Sequence, residues 1–285
     1  MAEKRWRVAL ITNVAPVAAG LAATVRELGH EPVLIITPRR RVPLGPELAI
    51  NDATAPPGVD VVLAKDKWSL EPMLRAARPD LALCWGFPWL IPQPALDVAR
   101  LGSVNLHPAL LPRHRGPIPV SWSVRSGDET YGVTWHRMDQ AFDTGPILAQ
   151  APVPMEPDDE DMWVVGPRMA AVALGLLPRV FERIAAGDPG DAQQTTGEEP
   201  YAGWFGDDYV EIDWSRPAVE IHRQVRAWAL AMGIAGIDGP VGVLDGRRVL
   251  VRRTSLADPG DGATRVETGD GPIWIVAAEP LDARA

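Results

Sequence analysis

The chain has 285 residues, of which 46% are hydrophobic and 23% charged, a composition typical of a soluble globular protein. Its net charge of −9 argues against a nucleic-acid substrate, because proteins that bind phosphate backbones usually carry a basic patch. The single cysteine, Cys84, excludes an internal disulfide framework and predicts a reducing, cytoplasmic location.

The N-terminal residues place a few basic side chains before a short apolar run, which we interpret as a first strand rather than a signal peptide. No stretch approaches the roughly 20 apolar residues of a membrane span, so we expect no membrane association. The basic cluster at residues 39–41 is typical of a strand end or a small-anion contact rather than of a polymer site.

The first hundred residues alternate between continuous apolar runs and segments with helical spacing of apolar residues. Strands are predicted at 8–12, 33–37, 59–63 and 81–85, and helices at 18–28, 70–77 and 94–100. Strands that are apolar throughout and separated by helices are typical of a parallel sheet covered on both faces. The pattern therefore predicts an open, Rossmann-like α/β sheet of mostly parallel strands.

Residues 165–186 have the spacing of a long amphipathic helix, in which Pro178 predicts a kink or a break. The stretch 187–200 is rich in Gly, Pro, Thr and acidic residues and is typical of a linker. After it come a helix near 217–230 and short strands around an Asp245-Gly246 hairpin signal. We predict a catalytic domain at 1–190, a linker at 191–200 and a small β-rich, barrel-like domain at 201–285.

The nucleotide-binding motifs common in such sheets are absent from the sequence. No Gly-x-Gly-x-x-Gly follows the first strand, and no Walker phosphate loop occurs anywhere. The pattern therefore disfavours NAD and ATP as ligands.

The segment 103–150 differs from the rest because it combines Asn105 and His107 at a predicted strand end with Asp143 before Gly145. Residues two apart on a strand point to the same face, and strand ends in open α/β sheets bind ligands. An amide, an imidazole and a carboxylate suit acyl transfer, as oxyanion donor, proton carrier and orienting group. Taken alone, Asn and His in this position are also common as loop-capping groups.

Two sequence blocks make the interpretation specific: N-x-H-P-A-L-L-P-x-x-R-G-x-x-P from Asn105, and G-V-T-x-H-x-M-x-x-x-x-D-T-G-x-I from Gly132. Together they resemble the formyltransferase family that uses 10-formyltetrahydrofolate. The segments at 29–40 and 78–92 also resemble this family, and 212–227 is similar to the entry into its C-terminal β-barrel domain. Nearly the whole chain is covered.

The resemblance implies that an acceptor amine attacks the formyl carbon of 10-formyltetrahydrofolate, with no metal. Asn105 and His107 would stabilise the oxyanion, while Asp143 orients His107 and helps to remove the amine proton. Folate contacts are implied for Phe87, Trp89, Leu90, Ile91, Pro92, Asp139 and Phe142. Acceptor contacts are implied for His114, Arg115 and His136.

Ala109 and His114 depart from the commonest family pattern, which has Ser and an aromatic residue there, and these changes bear on the acceptor pocket. We expect the acceptor to be a small amine, either an amino sugar nucleotide or a hydroxyornithine-type amino acid. Alternatives are methionyl-tRNA, a hydrolase that releases formate, and an inactive binding module. Residues 200–285 hold 9 Lys and Arg against 13 Asp and Glu, which disfavours tRNA without excluding it. The second domain is expected to shape the acceptor cleft or to form a homodimer contact.

Overall fold

The computed structural model describes residues 5–39, 48–51, 53–157, 159–235 and 239–281. Arg40 and Arg41 of the predicted basic cluster lie outside these ranges. The chain divides into two compact units. The first unit comprises Met1–Gly116, Tyr131–Val153 and Gly166–Tyr201, and the second comprises Pro117–Thr130, Pro154–Val165 and Ala202–Ala285. The linear division at residues 191–200 stays a prediction.

The first unit contains a seven-stranded sheet with the order β3-β2-β1-β4-β5-β6-β7. Its strands are β1 (Arg7–Thr12), β2 (Glu31–Pro38), β3 (Asp60–Ala64), β4 (Leu81–Trp85), β5 (Ser103–His107), β6 (Thr130–Arg137) and β7 (Ile147–Pro154). The first five strands pair in parallel, and β6 pairs antiparallel with β5. The prediction of a mostly parallel, Rossmann-like sheet is therefore confirmed.

The described part of the chain has six α-helices before residue 190. They are α1 (Ala15–Glu27), α2 (Leu70–Ala77), α3 (Gln93–Leu96), α4 (Pro119–Ser126), α5 (Met162–Gly175) and α6 (Leu177–Ala185). Pro178 lies in the first turn of α6, where its missing N–H has no partner to lose, so the predicted break is confirmed. The helix predicted at 94–100 ends at Leu96 and is shorter than expected.

The central strand β1 is buried on both faces. Ala9 and Ile11 pack in one apolar cluster with Leu70 and Leu74 of α2, while Val8 and Leu10, which alternate with them, are also completely buried. A strand covered on both sides needs apolar residues at every position, which explains the continuous run seen in the sequence.

The second unit contains a four-stranded antiparallel sheet with the order β10-β11-β9-β8. Its strands are β8 (Val241–Leu244), β9 (Arg247–Ser255), β10 (Thr264–Glu267) and β11 (Pro272–Pro280), and α7 (Ala218–Ala235) packs on β9 and β11. The Asp245-Gly246 hairpin is confirmed, with both residues at positive φ (49° and 75°), as a two-residue type I′ turn requires.

The expectation that no segment has the length and apolarity of a membrane span is wrong. Within the described residues, Met162–Ala185 forms a 24-residue helical stretch whose most apolar window has a mean hydropathy of 1.4 and is 33% buried. Core helices of soluble proteins meet the same criteria, so one such stretch indicates a membrane span only weakly.

Candidate active site

Three neighbouring strands of the first unit bring the predicted catalytic residues together. In the sheet register, Asn105 of β5 pairs with Cys84 of β4 on one side and with His136 of β6 on the other. The loop after β6 then carries Asp143, which is 8% exposed. The site thus lies near the carboxyl ends of β4 and β5, beside the antiparallel strand β6. We call the group formed by Asn105, His107, His136 and Asp143 the polar cluster.

Asn105 is held by His136. The Nδ1 atom of His136 lies 2.8 Å from the carbonyl oxygen of Arg137, so the network places a hydrogen on Nδ1 and leaves Nε2 as an acceptor. Nε2 accepts from the Asn105 amide nitrogen at 3.2 Å, which fixes the orientation of that amide. The second amide N–H of Asn105 makes no hydrogen bond to a described residue.

His107 is 4% exposed and sits between a carbonyl and a carboxylate. Its Nε2 lies 2.8 Å from the carbonyl oxygen of His114 and must donate to it, so in the neutral imidazole Nδ1 carries no hydrogen. Nδ1 faces Oδ1 of Asp143 at 3.4 Å. A proton that reaches Nδ1 therefore forms an imidazolium beside a carboxylate.

Asp143 adopts a left-handed backbone conformation (φ 59°) that its surroundings stabilise. The Gly116 amide donates to its Oδ2 at 3.1 Å, and His136 Nε2 lies 3.7 Å from its Oδ1, just outside hydrogen-bond reach. Two residues later, a Cβ at Gly145 would lie 1.9 Å from the Arg137 carbonyl oxygen, so only glycine fits there. The Asp-Thr-Gly sequence therefore places the carboxylate between two imidazoles.

Burial and mutual contacts shift the ionisation of this cluster. Burial lowers the pKa of His107, and the neighbouring Asp143 carboxylate opposes that effect only partly. Burial would raise the pKa of Asp143, but the nearby imidazoles of His136 and His107 and the Gly116 amide outweigh it, so its pKa lies below the ordinary value. The resting arrangement is a neutral imidazole next to an ionised carboxylate.

Gln193 connects the segment predicted as a linker to the Asp143 loop. Its side-chain nitrogen donates to the carbonyl oxygens of Asp143 (2.9 Å) and Gly145 (2.8 Å). Its side-chain oxygen accepts two hydrogen bonds from the Arg115 guanidinium, at 3.1 and 2.5 Å. One amide therefore holds the loops on both sides of the carboxylate.

The comparisons with known proteins agree with this geometry. A family model described as formyl transferase matches residues 63–181. A methionyl-tRNA formyltransferase of Halorhodospira halophila is 35% identical over 217 residues, which span 74% of this chain and 70% of that protein. This chain belongs to the formyltransferase family.

Other family members extend the likeness. A methionyl-tRNA formyltransferase of Pelobacter propionicus is 34% identical over 73% of this chain and 66% of that protein. The crystal structure of WlaRD, a sugar 3N-formyl transferase in the presence of dTDP and 5-N-formyl-THF, shares the fold with a TM-score of 0.68 and 16% identity, over 98% of this chain and 99% of that one. For four of the curated methionyl-tRNA formyltransferases that it matches, the chain spans between 48% and 66% of their length.

Two groups of residues implied as folate contacts differ in exposure. Phe87 and Trp89 follow β4, make an edge-to-face contact with ring centroids 5.2 Å apart, and pack against the apolar cluster below, where Ile91 is 2% exposed. Phe142, by contrast, is 51% exposed. Asp139 accepts hydrogen bonds from Ala141 and Thr144 and so supports its own turn. Leu90 and Pro92 are half-buried.

The residues implied as acceptor contacts all lie close to the polar cluster, each with a partner within the protein. His136 binds Asn105, Arg115 binds Gln193, and the backbone amide of His114 donates to Pro200. His114 and His136 are each 2% exposed. Their predicted contact with the acceptor stays a prediction.

Sequence reasoning missed two groups that position Asp143, the Gly116 amide and Gln193. Gly116 belongs to the recognised motif but contributes through its backbone, which no side-chain pattern reveals. Gln193 lies in a stretch whose composition indicates a linker, and no periodic signal distinguishes it. Cys84, in turn, is buried, and burial raises the pKa of its thiol to about 12, which is typical of an apolar core residue rather than of a nucleophile.

Proposed function

We propose that this protein is an N-formyltransferase that moves a formyl group from 10-formyltetrahydrofolate to the amine of a small molecule. The observation that carries the proposal is the polar cluster, in which an amide donor and an imidazole–carboxylate pair lie side by side at the strand ends. The acceptor is an amino sugar nucleotide or a hydroxyornithine-type amino acid.

Each group of the cluster has a role in acyl transfer. The free N–H of Asn105 donates to the formyl oxygen, whose negative charge grows as the amine attacks. His136 keeps that amide in one orientation, which removes the need for reorganisation during the reaction. Nδ1 of His107, supported by Asp143, accepts the proton that the amine loses when its bond to carbon forms. Return of that proton to the donor nitrogen would let the bond between this nitrogen and the formyl carbon break, so that tetrahydrofolate leaves.

The loop after β4 fits the folate donor. Because Cys84 of β4 pairs with Asn105, this loop begins beside the catalytic strand, and it presents the rings of Phe87 and Trp89. Aromatic faces next to backbone polar groups suit a flat heterocycle such as a pterin. When bound, the folate supplies the formyl carbon.

A small acceptor is supported by charge and by a structural neighbour. Residues 200–285 carry 9 Lys and Arg against 13 Asp and Glu, the wrong sign for a tRNA backbone. The sugar 3N-formyl transferase WlaRD shares this fold along nearly its entire length. A cytoplasmic location and a homodimer remain predictions.

Methionyl-tRNA is the second candidate, favoured by the names of the curated relatives. Only the second candidate predicts that the protein binds tRNA. Such binding should weaken steeply as the salt concentration rises, because it releases counterions from the phosphate backbone. A filter-binding measurement with tRNA at low and moderate salt therefore separates them.

The decisive experiment incubates the purified protein with 10-formyltetrahydrofolate and a panel of amines, with mass spectrometry to detect the gain of one formyl group. We expect formylation of a nucleotide-linked amino sugar or a hydroxyornithine-type amine. Formylation of methionyl-tRNA alone would replace the proposed acceptor, formate release without any amine would indicate a hydrolase, and no turnover of the folate would reject the proposal.

A further inference from the structure

A second polar site lies in the second unit, independent of the proposed function. A cavity of about 330 Å³ opens there. It is lined by Arg125, Asp208, Tyr209, Arg216, Glu220 and Arg223, and we call it the arginine cavity. We propose that the arginine cavity binds a phosphate group, either as a free anion or as part of a small phosphorylated molecule.

Arg125 is built into the cavity wall by aromatic rings. Its guanidinium carbon lies 4.0 Å from the ring centre of Tyr209 and 4.5 Å from that of Trp122. A guanidinium that stacks on aromatic rings makes cation–π contacts through its flat face. These contacts give its N–H groups, which point outward in the plane, no hydrogen-bond acceptor. Among the described residues, no hydrogen bond or ion pair with Arg125 is formed.

Arg223 reaches the cavity from α7 and is pressed against the end of α4. A Cβ at Gly127 would lie 2.6 Å from the guanidinium carbon of Arg223, so the guanidinium lies directly against the backbone at the end of α4. A cation near a helix C-terminus is favourable, which accounts for part of its placement. It does not supply a partner for the N–H groups, and within the described parts of the chain Arg223 has no hydrogen bond or ion pair.

The acidic residues of the cavity leave a positive excess. Glu220 is occupied by Arg216, whose Nη2 lies 2.7 Å from its Oε2. The other carboxylate of the cavity, Asp208, is exposed. The lining therefore contains three guanidinium groups and two carboxylates. Burial raises the pKa of Tyr209 to about 12, against the effect of all three arginines, so its hydroxyl stays a neutral donor.

A phosphate group fits these features better than a carboxylate or a halide. It carries enough oxygens to accept from two separate guanidinium groups and a phenol at the same time. Charge on Arg125 and Arg223 that the protein does not neutralise would then be neutralised by the ligand. The aromatic wall holds Arg125 in place beforehand, which reduces the entropy lost on binding.

The test uses the full-length protein with sodium phosphate, pyrophosphate or uridine diphosphate as the probe, and sodium chloride at equal ionic strength as the baseline. The midpoint of thermal unfolding, measured against probe concentration, gives the affinity. We expect pyrophosphate to bind more tightly than phosphate, since it can bridge both arginines. Arg223→Gln and Arg125→Gln should each weaken binding about tenfold.

Two further variants show whether a loss of affinity reflects the removed contact or a general loss of folded structure. Arg265→Gln removes one charge from an exposed ion pair with Glu267 on β10 and should leave the affinity unchanged. Glu220→Gln removes a competing carboxylate and should tighten binding about threefold.

The outcomes separate the sources of the phosphate. Both probes should lose affinity in Arg223→Gln. Uridine diphosphate that binds the wild type no more tightly than pyrophosphate supports recognition of the phosphate itself, and tighter binding of uridine diphosphate supports a phosphorylated molecule as the ligand. Pyrophosphate binding that is the same in the wild type, Arg223→Gln and Glu220→Gln would overturn the proposal.

Discussion

The polar cluster of the first unit and the arginine cavity of the second are both groups of polar side chains, but they are built differently. In the polar cluster, His107, His136 and Asp143 are almost fully buried and are each other's partners. In the arginine cavity, Arg125 and Arg223 are half-buried, and aromatic rings or a helix end support them. Burial and close contact between ionisable groups shift proton affinity, whereas partly exposed charge can attract an ion without a change of protonation.

Removing the charge of the buried Asp143 carboxylate should have the largest effect on activity and tests the role assigned to the polar cluster. Asp143→Asn keeps the shape but cannot stabilise a proton on His107, so the rate of formyl transfer should fall about 10²- to 10⁴-fold. Steady-state kinetics and a thermal melt check this. Asp207→Asn, an exposed change in the second unit, is the control, and a loss of less than about threefold in Asp143→Asn would contradict the assigned role.

Gln193 tests whether the first unit's geometry depends on the segment predicted as a linker. Gln193→Ala breaks the hydrogen bonds to the Asp143 loop, and we expect kcat to fall about tenfold with a loss of about 1–3 kcal/mol in stability. Its neighbour supplies a matched control, because within the described residues the side chain of Gln194 bonds only to the carbonyl oxygen of Ala192, two positions earlier. If both variants behave alike, Gln193 does not position the loop.

His222 of α7 is half-buried and has a lowered pKa. Burial, aided by Arg226 and Arg223, lowers its pKa from 6.5 to about 4. The folded protein therefore holds His222 neutral, and the unfolded chain takes up a proton as pH falls below about 6.5. Stability should decrease between pH 6.5 and 4, by about 1–3 kcal/mol from this residue.

Urea unfolding at several pH values measures that slope. His222→Asn preserves a polar group near Thr254 and should flatten the slope, while a slope equal to that of the wild type would show that other groups cause it.

The lowered pKa of His107 should appear in the pH dependence of activity. Because burial lowers its pKa and Asp143 partly restores it, the acidic limb of kcat/KM should have its midpoint below 6.5. Above the midpoint the neutral imidazole accepts the amine proton, and below it activity should fall about tenfold per pH unit. A midpoint above 6.5 would mean that another group controls this limb.

Local sequence signals located most elements of the first unit. The helix at 70–77 and the strand at 81–85 are observed at their predicted bounds, since a strong apolar pattern coincides there with clear end signals. Two strands, β7 and β10, were not predicted. Strand β7 has exposed or half-buried residues at more than half of its positions, and β10 is only four residues long, so neither has a strong apolar pattern.

The motif around Asn105, His107 and Asp143 predicted the family, because it places these residue types at the end of a strand and just before a glycine, features that local sequence encodes. Only the tertiary structure decided which nitrogen of each imidazole carries a hydrogen, that His136 holds Asn105, and that Gln193 supports the Asp143 loop. These contacts join residues 31 and 50 positions apart in the chain. Sheet register and backbone carbonyls create them, and neither leaves a pattern in the residues themselves.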